Sequence, residues 1–270
     1  MNQMMSFAAM GEDVVLWRAL KHRSGGYFVD VGANHPIGTS VTKWFSDNGW
    51  SGVNIEPIPN LLAMFHSDRP RDLNLNVGIA RQEGVLEFFQ VDDDLQRSTF
   101  DVELADNYKK NGRSVSTHSI PVVTLQSIID DHGIGHIDFL KIDAEGFEEQ
   151  VIQSIDLTRS RPSVIVGEGA DGQTNKWPAI LEANNYRMAF FDGINRFFVA
   201  DECWDELGPS MQYPACPNDN YLVYSVELER NEYMRQISEL QAEANRLRHE
   251  IESKPDRGVL RRVGARIRKR

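Results

Sequence analysis

One segment, from Tyr27 to Pro57, constrains the fold of this chain more than any other. Its first apolar run ends in Asp30, a Gly32-Ala33-Asn34 turn and a helix-like stretch follow, and a second apolar run ends in Glu56. Two buried strands joined by a helix form a βαβ unit, whose parallel strands end on the same ligand crevice. The segment therefore predicts an α/β fold with a ligand site at the ends of both strands.

The residues at these strand ends indicate the class of ligand. Glu56 lies about one βαβ unit after the turn, where an acid can accept hydrogen bonds from the two hydroxyls of a ribose. A dinucleotide site also needs its second and third glycines close to the pyrophosphate, and here those positions hold Asn34 and Ile37. The turn therefore favours a nucleoside donor without a pyrophosphate, such as S-adenosylmethionine, over the NAD of an oxidoreductase. A plain strand, turn and helix with no ligand is the alternative.

Strands and helices alternate along most of the chain. Strands are predicted near 27–31, 51–56, 73–79, 137–142 and 163–168, and helices near 10–21, 39–48, 58–67, 124–132, 145–154 and 175–185. This alternation predicts a parallel sheet covered by helices on both faces.

Three further stretches have their own patterns. The run 84–91 predicts an extra strand, and the polar stretch 92–119 after it predicts a long irregular insertion, either a lid at the ligand edge or a disordered loop. The aromatic run 186–200 has Asp192-Gly193 at its centre, which predicts a hairpin. The run 218–226 predicts either the last strand or a return to the core.

Four short motifs extend the argument beyond the first βαβ unit: GED at 11–13, DVGANHP at 30–36, NIEP at 54–57 and FLKIDAEGFE at 139–148. Together they resemble the FkbM family of S-adenosylmethionine-dependent methyltransferases, from about residue 6 to residue 224. The resemblance implies a Rossmann-like methyltransferase fold, with a mostly parallel seven-stranded sheet and helices on both faces, to which the pattern beyond residue 226 adds a C-terminal helical extension. It also implies methylation of a hydroxyl group. One departure is Ala9-Met10, where such proteins often carry Gln-Asn.

The resemblance also implies which residues bind the donor. The turn is expected to line the methionine end, the NIEP motif to bind the ribose, the end of the third strand to meet the adenine, and the GED acids to close the pocket. The residues implied are, in that order, Asp30, Gly32, Ala33, Asn34, Glu56, Pro57, Asn76, Gly78, Glu12 and Asp13. The two GED acids have a simpler alternative, because acids at any helix N-terminus are stabilised by the helix dipole.

Methyl transfer from a sulfonium to a hydroxyl is an in-line displacement that needs a base for the hydroxyl proton. The KIDAEGFE motif places Asp143 and Glu145 after the fourth strand, where either can serve as that base. The same carboxylates can instead bind a divalent metal such as magnesium, with Asp143 as the expected ligand. His35 is a further candidate base because imidazole titrates near neutral pH, although it can simply cap the next segment. Ser98 and Thr99 are weaker candidates for binding the acceptor.

Composition restricts the compartment and the partners. The formal net charge of −11 disfavours nucleic acid as a partner. The two cysteines, Cys203 and Cys216, have no CxxC spacing, so they indicate neither a disulfide framework nor a zinc site, and a reducing compartment fits best. The N-terminus lacks the pattern of a signal peptide, and no apolar stretch is long enough for a membrane span. We therefore expect a cytoplasmic protein.

The pattern changes near residue 226, which predicts a methyltransferase domain over 1–226, a coiled-coil helix over 227–254 and a basic tail over 255–270. Apolar residues in the helix are spaced alternately by four and three, as in a coiled-coil seam: Tyr233, Ile237, Leu240, Ala244, Leu247 and Ile251. The helix is expected either to pair, in a homo-oligomer or with a glycosyltransferase, or to pack on the domain. The tail mixes arginines with apolar residues, which suits an anionic membrane surface on the inner face of the cell membrane, a partner, or solvent.

Two functional hypotheses follow. The leading one is an S-adenosylmethionine-dependent O-methyltransferase that acts on a sugar hydroxyl of a glycan or glycolipid acceptor, in polysaccharide or glycolipid biosynthesis. The alternative is an assembly factor with a methyltransferase-like body, which binds a glycosyltransferase through its C-terminal coiled coil and has little activity of its own.

Overall fold

The computed structural model of the chain describes residues 3–169 and 176–253. It divides into two compact units at Val223 and Tyr224. The first unit contains twelve strands, β1 to β12 in chain order, and helices α1 to α8; the second contains helix α9.

The strands β1 to β12 are, in order, Met4–Ser6, Tyr27–Val31, Ser51–Ile55, Leu73–Leu75, Gly78–Ile79, Gly84–Val91, Val115–Val123, Phe139–Ile142, Val164–Glu168, Tyr186–Phe191, Asn195–Ala200 and Tyr221–Val223. The helices α1 to α9 are, in order, Glu12–Leu20, Lys43–Asp47, Pro59–Asp68, Val102–Lys110, Leu125–Asp131, Glu148–Ile152, Trp177–Ala183, Trp204–Leu207 and Tyr224–Ser253.

Seven strands form the central sheet in the order β10-β11-β9-β8-β2-β3-β4. Neighbours from β4 through β3, β2 and β8 to β9 are parallel, whereas β11 runs antiparallel between β9 and β10. The chain order changes direction at β2, with β3 on one side and β8 on the other, and such a switch point opens a crevice at the carboxyl ends of the strands. The prediction of a Rossmann-like fold with a mostly parallel seven-stranded sheet is confirmed.

Each face of this sheet has its own apolar core, because neighbouring side chains along a strand point to opposite faces. Phe28 and Phe139 pack on one face with residues of α1 and α2. Val29 and Leu140, the next residues along the same strands, pack on the other face with residues of α5, α6 and α7. Helices therefore cover both faces, as predicted, and the strands are held rigidly beneath the crevice.

Two predicted stretches differ in the structure. The strand expected over 73–79 is interrupted at Asn76, whose side-chain amide donates to the backbone carbonyls of Glu56 and Pro57, each at 2.9 Å. Beyond this break, Gly78–Ile79 leaves the central sheet and pairs with β7 instead.

The polar insertion is ordered rather than irregular. It contains a short 3₁₀ helix at Leu95–Arg97, the helix α4 and the start of β7. Asp101 caps α4 by accepting from the backbone N–H of Leu104 at 2.8 Å. The antiparallel pair of β6 and β7 supports these elements and, with β5, forms a separate three-stranded sheet. The expectation of a long irregular loop over 92–119 was therefore wrong.

The remaining strands settle two open points. The hairpin expected over 186–200 is confirmed as β10 and β11. Of the two alternatives for 218–226, the structure shows a short strand, β12, which pairs in parallel with β1 outside the central sheet.

The second unit contains the helix α9, which is 30 residues long. Ion pairs between side chains three positions apart, such as Glu227 with Arg230 and Glu232 with Arg235, stabilise it locally. Pairing through its seam stays a prediction, and the expected basic tail lies outside the described residues. Across residues 3–169 and 176–253, no helix combines the length and the apolar composition required to cross a membrane.

Candidate active site

A cavity of about 270 Å³ lies where β2, β3, β8 and β9 end. This volume is near the lower end of the range for small-molecule sites. Ten of the residues that the sequence predicted for donor binding or catalysis line it: Glu12, Asp30, Gly32, Ala33, Asn34, Glu56, Pro57, Gly78, Asp143 and Glu145. The sheet therefore brings motifs that are far apart in the chain to one wall.

The turn after β2 fits its position because it contains a glycine. Gly32 has a φ of +72°, and a Cβ atom there would lie 1.8 Å from the carbonyl oxygen of Asp143. The backbone N–H groups of Gly32 and Ala33 both donate to the carbonyl of Ile55, at 3.0 and 3.1 Å. Glycine thus lets the turn after β2 pass directly against the loop after β8, with the backbone facing the cavity.

Glu56 is fixed by two backbone hydrogen bonds. Its Oε2 accepts from the N–H of Asn34 and its Oε1 from the N–H of Ile58, both at 2.8 Å. Burial raises the pKa of Glu56 to about 7, although both hydrogen bonds oppose the change. Each oxygen retains a further lone pair, so this carboxylate can still accept hydrogen bonds from two hydroxyls in the cavity.

Asp30 lies between a cation and a hydroxyl. Lys141, its register partner on β8, places Nζ 3.4 Å from Asp30 Oδ1 and 3.3 Å from Asp143 Oδ2. The hydroxyl of Thr42 donates to Asp30 Oδ2 at 2.9 Å. Burial alone would lower the pKa of Lys141, but the charges of Asp30 and Asp143 outweigh burial and raise it above its ordinary value. Lys141 is therefore charged and joins the two acids.

Three carboxyl groups cluster on the other side of Lys141. Oxygens of Asp143, Glu145 and Glu168 lie within 4.8 Å of one another. Burial, reinforced by the charges of Asp143 and Glu148, raises the pKa of Glu145 to about 8. Burial and the charge of Asp143 raise the pKa of Glu168 to about 9, and Glu168 is hydrogen-bonded to Asp143. Near neutral pH the cluster therefore retains protons on its two glutamates.

The donor set of this cluster fits a divalent metal. Magnesium prefers oxygen ligands and binds through one or two carboxylates, with water completing its coordination. A cation would also stabilise the ionised forms of the two glutamates, which otherwise ionise only above neutral pH. Asp143, the expected metal ligand, belongs to this set.

The N-terminal arm closes one side of the cavity. Glu12 accepts from the backbone N–H of Met10 at 2.8 Å and from the side chain of Asn195 at 3.2 Å, and burial raises its pKa. Ala9 and Met10 also line the cavity, so the positions at which this chain departs from the family pattern face the ligand space with apolar side chains.

Some expected site residues have other partners. Asp13 is fully buried and accepts from Ser6 and Phe7, both at 2.7 Å, so it anchors the N-terminal arm rather than lining the cavity. Asn76, as described above, supports the end of β3 in the same indirect way.

His35 caps the segment that follows it, which was the simpler alternative to a role as the base. Its Nδ1 accepts from the backbone N–H groups of Ile37 and Gly38, at 3.0 and 2.9 Å. The imidazole does not line the cavity formed by the described residues. The geometry therefore does not support His35 as the base.

Of the two weaker acceptor candidates, only Ser98 lines the cavity. Thr99 is buried and donates to the carbonyl of Glu145 at 2.6 Å. It therefore tethers the insertion to the loop after β8.

The lining residues that the sequence analysis did not single out include Lys141, Glu168 and Asn195. Lys141 stands inside the FLKIDAEGFE motif and was read only as part of a strand. Glu168 ends an apolar strand in an acid, the same signal that identified Asp30 and Glu56, so it could have been found. Asn195 follows the Asp192-Gly193 turn, and its place depends on the pairing of β11 with β9, where it is the register partner of Glu168.

Comparison with solved structures gives distant similarities to methyltransferases. A TehB-like SAM-dependent methyltransferase from Corynebacterium glutamicum is 12% identical, with 71% of this chain and 88% of that one covered and a TM-score of 0.39. A precorrin-6y C5,15-methyltransferase from Geobacter metallireducens is 15% identical, with 70% and 86% covered and a TM-score of 0.35. An O-methyltransferase from Bacillus cereus, in complex with SAH, is 13% identical, with 70% and 80% covered and a TM-score of 0.35.

No curated protein matches the chain. The model of the methyltransferase FkbM domain, by contrast, matches residues 30–188, which is more than half of the 270 residues. The matched range begins at Asp30 and contains the turn, Glu56 and the acid cluster. The chain belongs to the FkbM methyltransferase family.

Proposed function

We propose that this methyltransferase transfers the methyl group of S-adenosylmethionine to a sugar hydroxyl of a glycan or glycolipid acceptor. The observation that carries the proposal is that Asp30 and Glu56, at the ends of neighbouring strands, line the same cavity as Asp143. Acids at the first two positions suit the methionine and ribose parts of the donor, and the side chain of the third is 39% exposed and therefore accessible to an acceptor.

The charge of the cavity supports a cationic donor. Among the described residues that line it, Lys141 is the single basic side chain, against six acids: Glu12, Asp30, Glu56, Asp143, Glu145 and Glu168. Glu145 and Glu168 hold their protons near neutral pH, so the negative charge comes from the other four. S-adenosylmethionine carries a sulfonium and an ammonium group, and both are stabilised by nearby carboxylates. The product, S-adenosylhomocysteine, has lost the sulfonium charge, so the same field favours donor over product.

The reaction needs one proton acceptor. The hydroxyl oxygen of the acceptor attacks the methyl carbon, the carbon–sulfur bond breaks with its electron pair left on sulfur, and the hydroxyl proton must leave as the new C–O bond forms. We assign this proton to Asp143. Lys141 Nζ lies 3.3 Å from Asp143 Oδ2 and stabilises the ionised form of Asp143, whereas Glu145 and Glu168 hold their protons near neutral pH.

The alternative role of the same acids is to bind magnesium. Asp143, Glu145 and Glu168 would hold the ion, which would supply Lewis-acid stabilisation of the acceptor's alkoxide. In that case these residues bind metal, and the hydroxyl loses its proton more readily without a dedicated side-chain base.

Several features of the cavity suit a sugar. Gln96, Ser98 and Asn195 line it with groups that both donate and accept hydrogen bonds, as do hydroxyls. Met10 is half-exposed beside them and can cover the apolar face of a sugar ring. The resemblance to the FkbM family implies methylation of hydroxyls on sugars or polyketides, and the polar lining favours the sugar.

The experiment is a methyl-transfer assay with the purified chain, S-adenosylmethionine and a panel of nucleotide sugars, oligosaccharides and lipid-linked oligosaccharides. Mass spectrometry should show the gain of one methyl group on a sugar hydroxyl in at least one acceptor. Transfer only to non-sugar hydroxyls in a matched panel of phenols and polyketides would overturn the acceptor class but not the methyl transfer.

The helix α9 favours a second candidate function, that of an assembly factor which binds a glycosyltransferase or a second copy through its seam. Under this second hypothesis, the basic tail at 257–270 associates with an anionic membrane surface on the cytoplasmic side, where lipid-linked glycans are built. Deleting 227–270 separates the two functions. Turnover that persists while membrane or partner association is lost supports an enzyme with a targeting segment, whereas a shortened chain that keeps its membrane association contradicts the role of the tail.

A further inference from the structure

Arg69 lies buried beneath the loop that follows the donor turn. It directly follows α3, and only 2% of its surface is exposed. One of its terminal nitrogens donates to the hydroxyl of Thr42 at 2.6 Å. The other donates to the hydroxyl of Ser40 at 2.6 Å and to the carbonyl of Pro36. A single guanidinium therefore holds three points of the loop over 36–42.

A buried arginine is unusual because desolvation of its charge is costly. Burial lowers the pKa of Arg69, and the charges of Asp30 and Asp72 act in the opposite direction. A neutral side chain of similar volume would avoid this cost if the position only had to fill space. The charge and its fork of donors thus indicate a role in orienting the groups that accept from it.

The hydrogen bonds through Thr42 have a defined direction. A hydroxyl has one proton to donate, and guanidinium nitrogens can only donate. Because Thr42 accepts from Arg69, its own proton is free to point to Asp30, to which it donates at 2.9 Å. Thr42 is fully buried and Asp30 is 1% exposed, so water does not compete for these bonds. Asp30 Oδ2 is thereby fixed, and Oδ1 is left on the side of Lys141.

We infer that Arg69 and Thr42 are positioning residues for the methionine end of the donor, acting through Asp30. The inference rests on the proposed donor site. We call the hydrogen-bonded chain from Arg69 through Thr42 to Asp30 the relay. It fixes the orientation of the Asp30 carboxylate, so that the ammonium of the amino-acid part meets a preorganised acceptor. The ribose and adenine contacts, which belong to Glu56 and the residues after β4, do not depend on it.

This division gives a direct test with two ligands. S-adenosylhomocysteine and 5′-methylthioadenosine share adenine, ribose and a thioether, but only the first has the amino-acid part. Thr42→Val removes the relay hydroxyl and keeps the shape of the side chain. By isothermal titration, Thr42→Val should bind S-adenosylhomocysteine about tenfold more weakly, the effect of losing one hydrogen bond to a charged group, and bind 5′-methylthioadenosine within about twofold of the unmodified chain.

Matched variants isolate the relay. Thr42→Ser keeps the hydroxyl and should restore the affinity for S-adenosylhomocysteine. Thr124→Val removes a threonine hydroxyl that caps α5 outside the cavity, and should leave both affinities unchanged. Arg69→Met is an independent variant, expected to show the same selective loss; it keeps the test decisive if Thr42→Val does not fold, as judged by circular dichroism and thermal unfolding.

Two results would overturn the inference. Unchanged affinity for S-adenosylhomocysteine in a folded Thr42→Val or Arg69→Met variant would show that the relay does not act on the methionine end. An equal loss for both ligands would show that Arg69 supports the whole loop and has no selective role. If the unmodified chain binds neither ligand, the proposed donor site itself is wrong, and that outcome is recognised before any variant is compared.

Discussion

Glu56 Oε2 accepts a hydrogen bond of 2.8 Å from the backbone N–H of Asn34, so the acid at the end of β3 is fixed against the turn that follows β2. The two elements belong to neighbouring parallel strands, and their ends meet at the switch point of the sheet. This bond joins Glu56 and the turn after β2 into one wall of the cavity. Donor affinity should therefore depend on Glu56 more than on any other one side chain of the wall.

Glu56→Gln is expected to weaken the binding of S-adenosylmethionine by roughly tenfold to a hundredfold. Glutamine has the same shape but offers only one acceptor oxygen, and its NH₂ group faces a backbone N–H where Glu56 accepts from Asn34 or Ile58. Isothermal titration measures the loss. Glu83→Gln, at an exposed position of the turn before β6, is the matched control and should bind like the unmodified chain.

Donor binding should strengthen as pH rises from about 6 to about 8. Glu56 has a pKa of about 7, and its ionised form is the better acceptor for ribose hydroxyls. The same raised pKa means that ionisation costs folding free energy, so the free protein should lose stability as pH rises through about 7, and the donor should offset part of that loss.

The control for this pH effect is again Glu56→Gln. Asp13 also has a pKa of about 7, raised by burial, but it anchors the N-terminal arm. A pH dependence of donor affinity that persists in Glu56→Gln would assign the effect to Asp13 or to another group, and would contradict the role of Glu56.

Asp143→Asn should lower kcat by roughly 10²- to 10⁴-fold, the range for removal of a general base, while donor affinity changes far less. Glu168→Gln should have a smaller effect, because glutamine can still donate a hydrogen bond to Asp143. Steady-state kinetics with a saturating donor measures both. Equal kcat in Asp143→Asn and the unmodified enzyme would exclude Asp143 as the proton acceptor.

Removal of divalent ions decides between the two uses of the acid cluster. If Asp143, Glu145 and Glu168 hold magnesium, a chelator should abolish turnover, and added magnesium should restore it. If Asp143 is the base, activity should be indifferent to chelation. The unfolding temperature should follow the same pattern, since a bound ion stabilises the folded chain.

The seam of α9 predicts self-association. Leu240→Lys places a charge at a seam position and should convert an oligomer to a monomer in light scattering, because a buried lysine destabilises the helix pair. Gln241→Lys, one position further, leaves the seam intact and should keep the oligomer. A monomeric unmodified chain would contradict the coiled-coil prediction.

Much of the fold could be predicted because each buried strand has a simple signal. The runs that end in Asp30 and Glu56 are short, apolar and bounded by turns, and the parallel arrangement follows from the helices between them. The break at Asn76 could not be seen in the sequence, since it depends on two carbonyls at the end of another strand. The helix α4 was missed because it is only nine residues long and largely polar, with Ala105 as its one buried residue.

The residues of the site, too, fall into those that could be predicted from the sequence and those that could not. Gly32 and Glu56 could be identified because turn and strand-end chemistry is local in sequence. Lys141 could not be given a role, because its partners Asp30 and Asp143 meet it only through strand pairing. His35 was a plausible base by chemistry alone, and its capping bonds to nearby N–H groups became visible only with the backbone in place.

Isothermal titration of the unmodified chain with S-adenosylmethionine tests the central claim most directly. The account predicts one site per chain, with affinity that falls in Glu56→Gln and stays unchanged in Glu83→Gln. A folded chain that releases no heat with S-adenosylmethionine or S-adenosylhomocysteine, and shows no shift in its unfolding temperature with either, would contradict it.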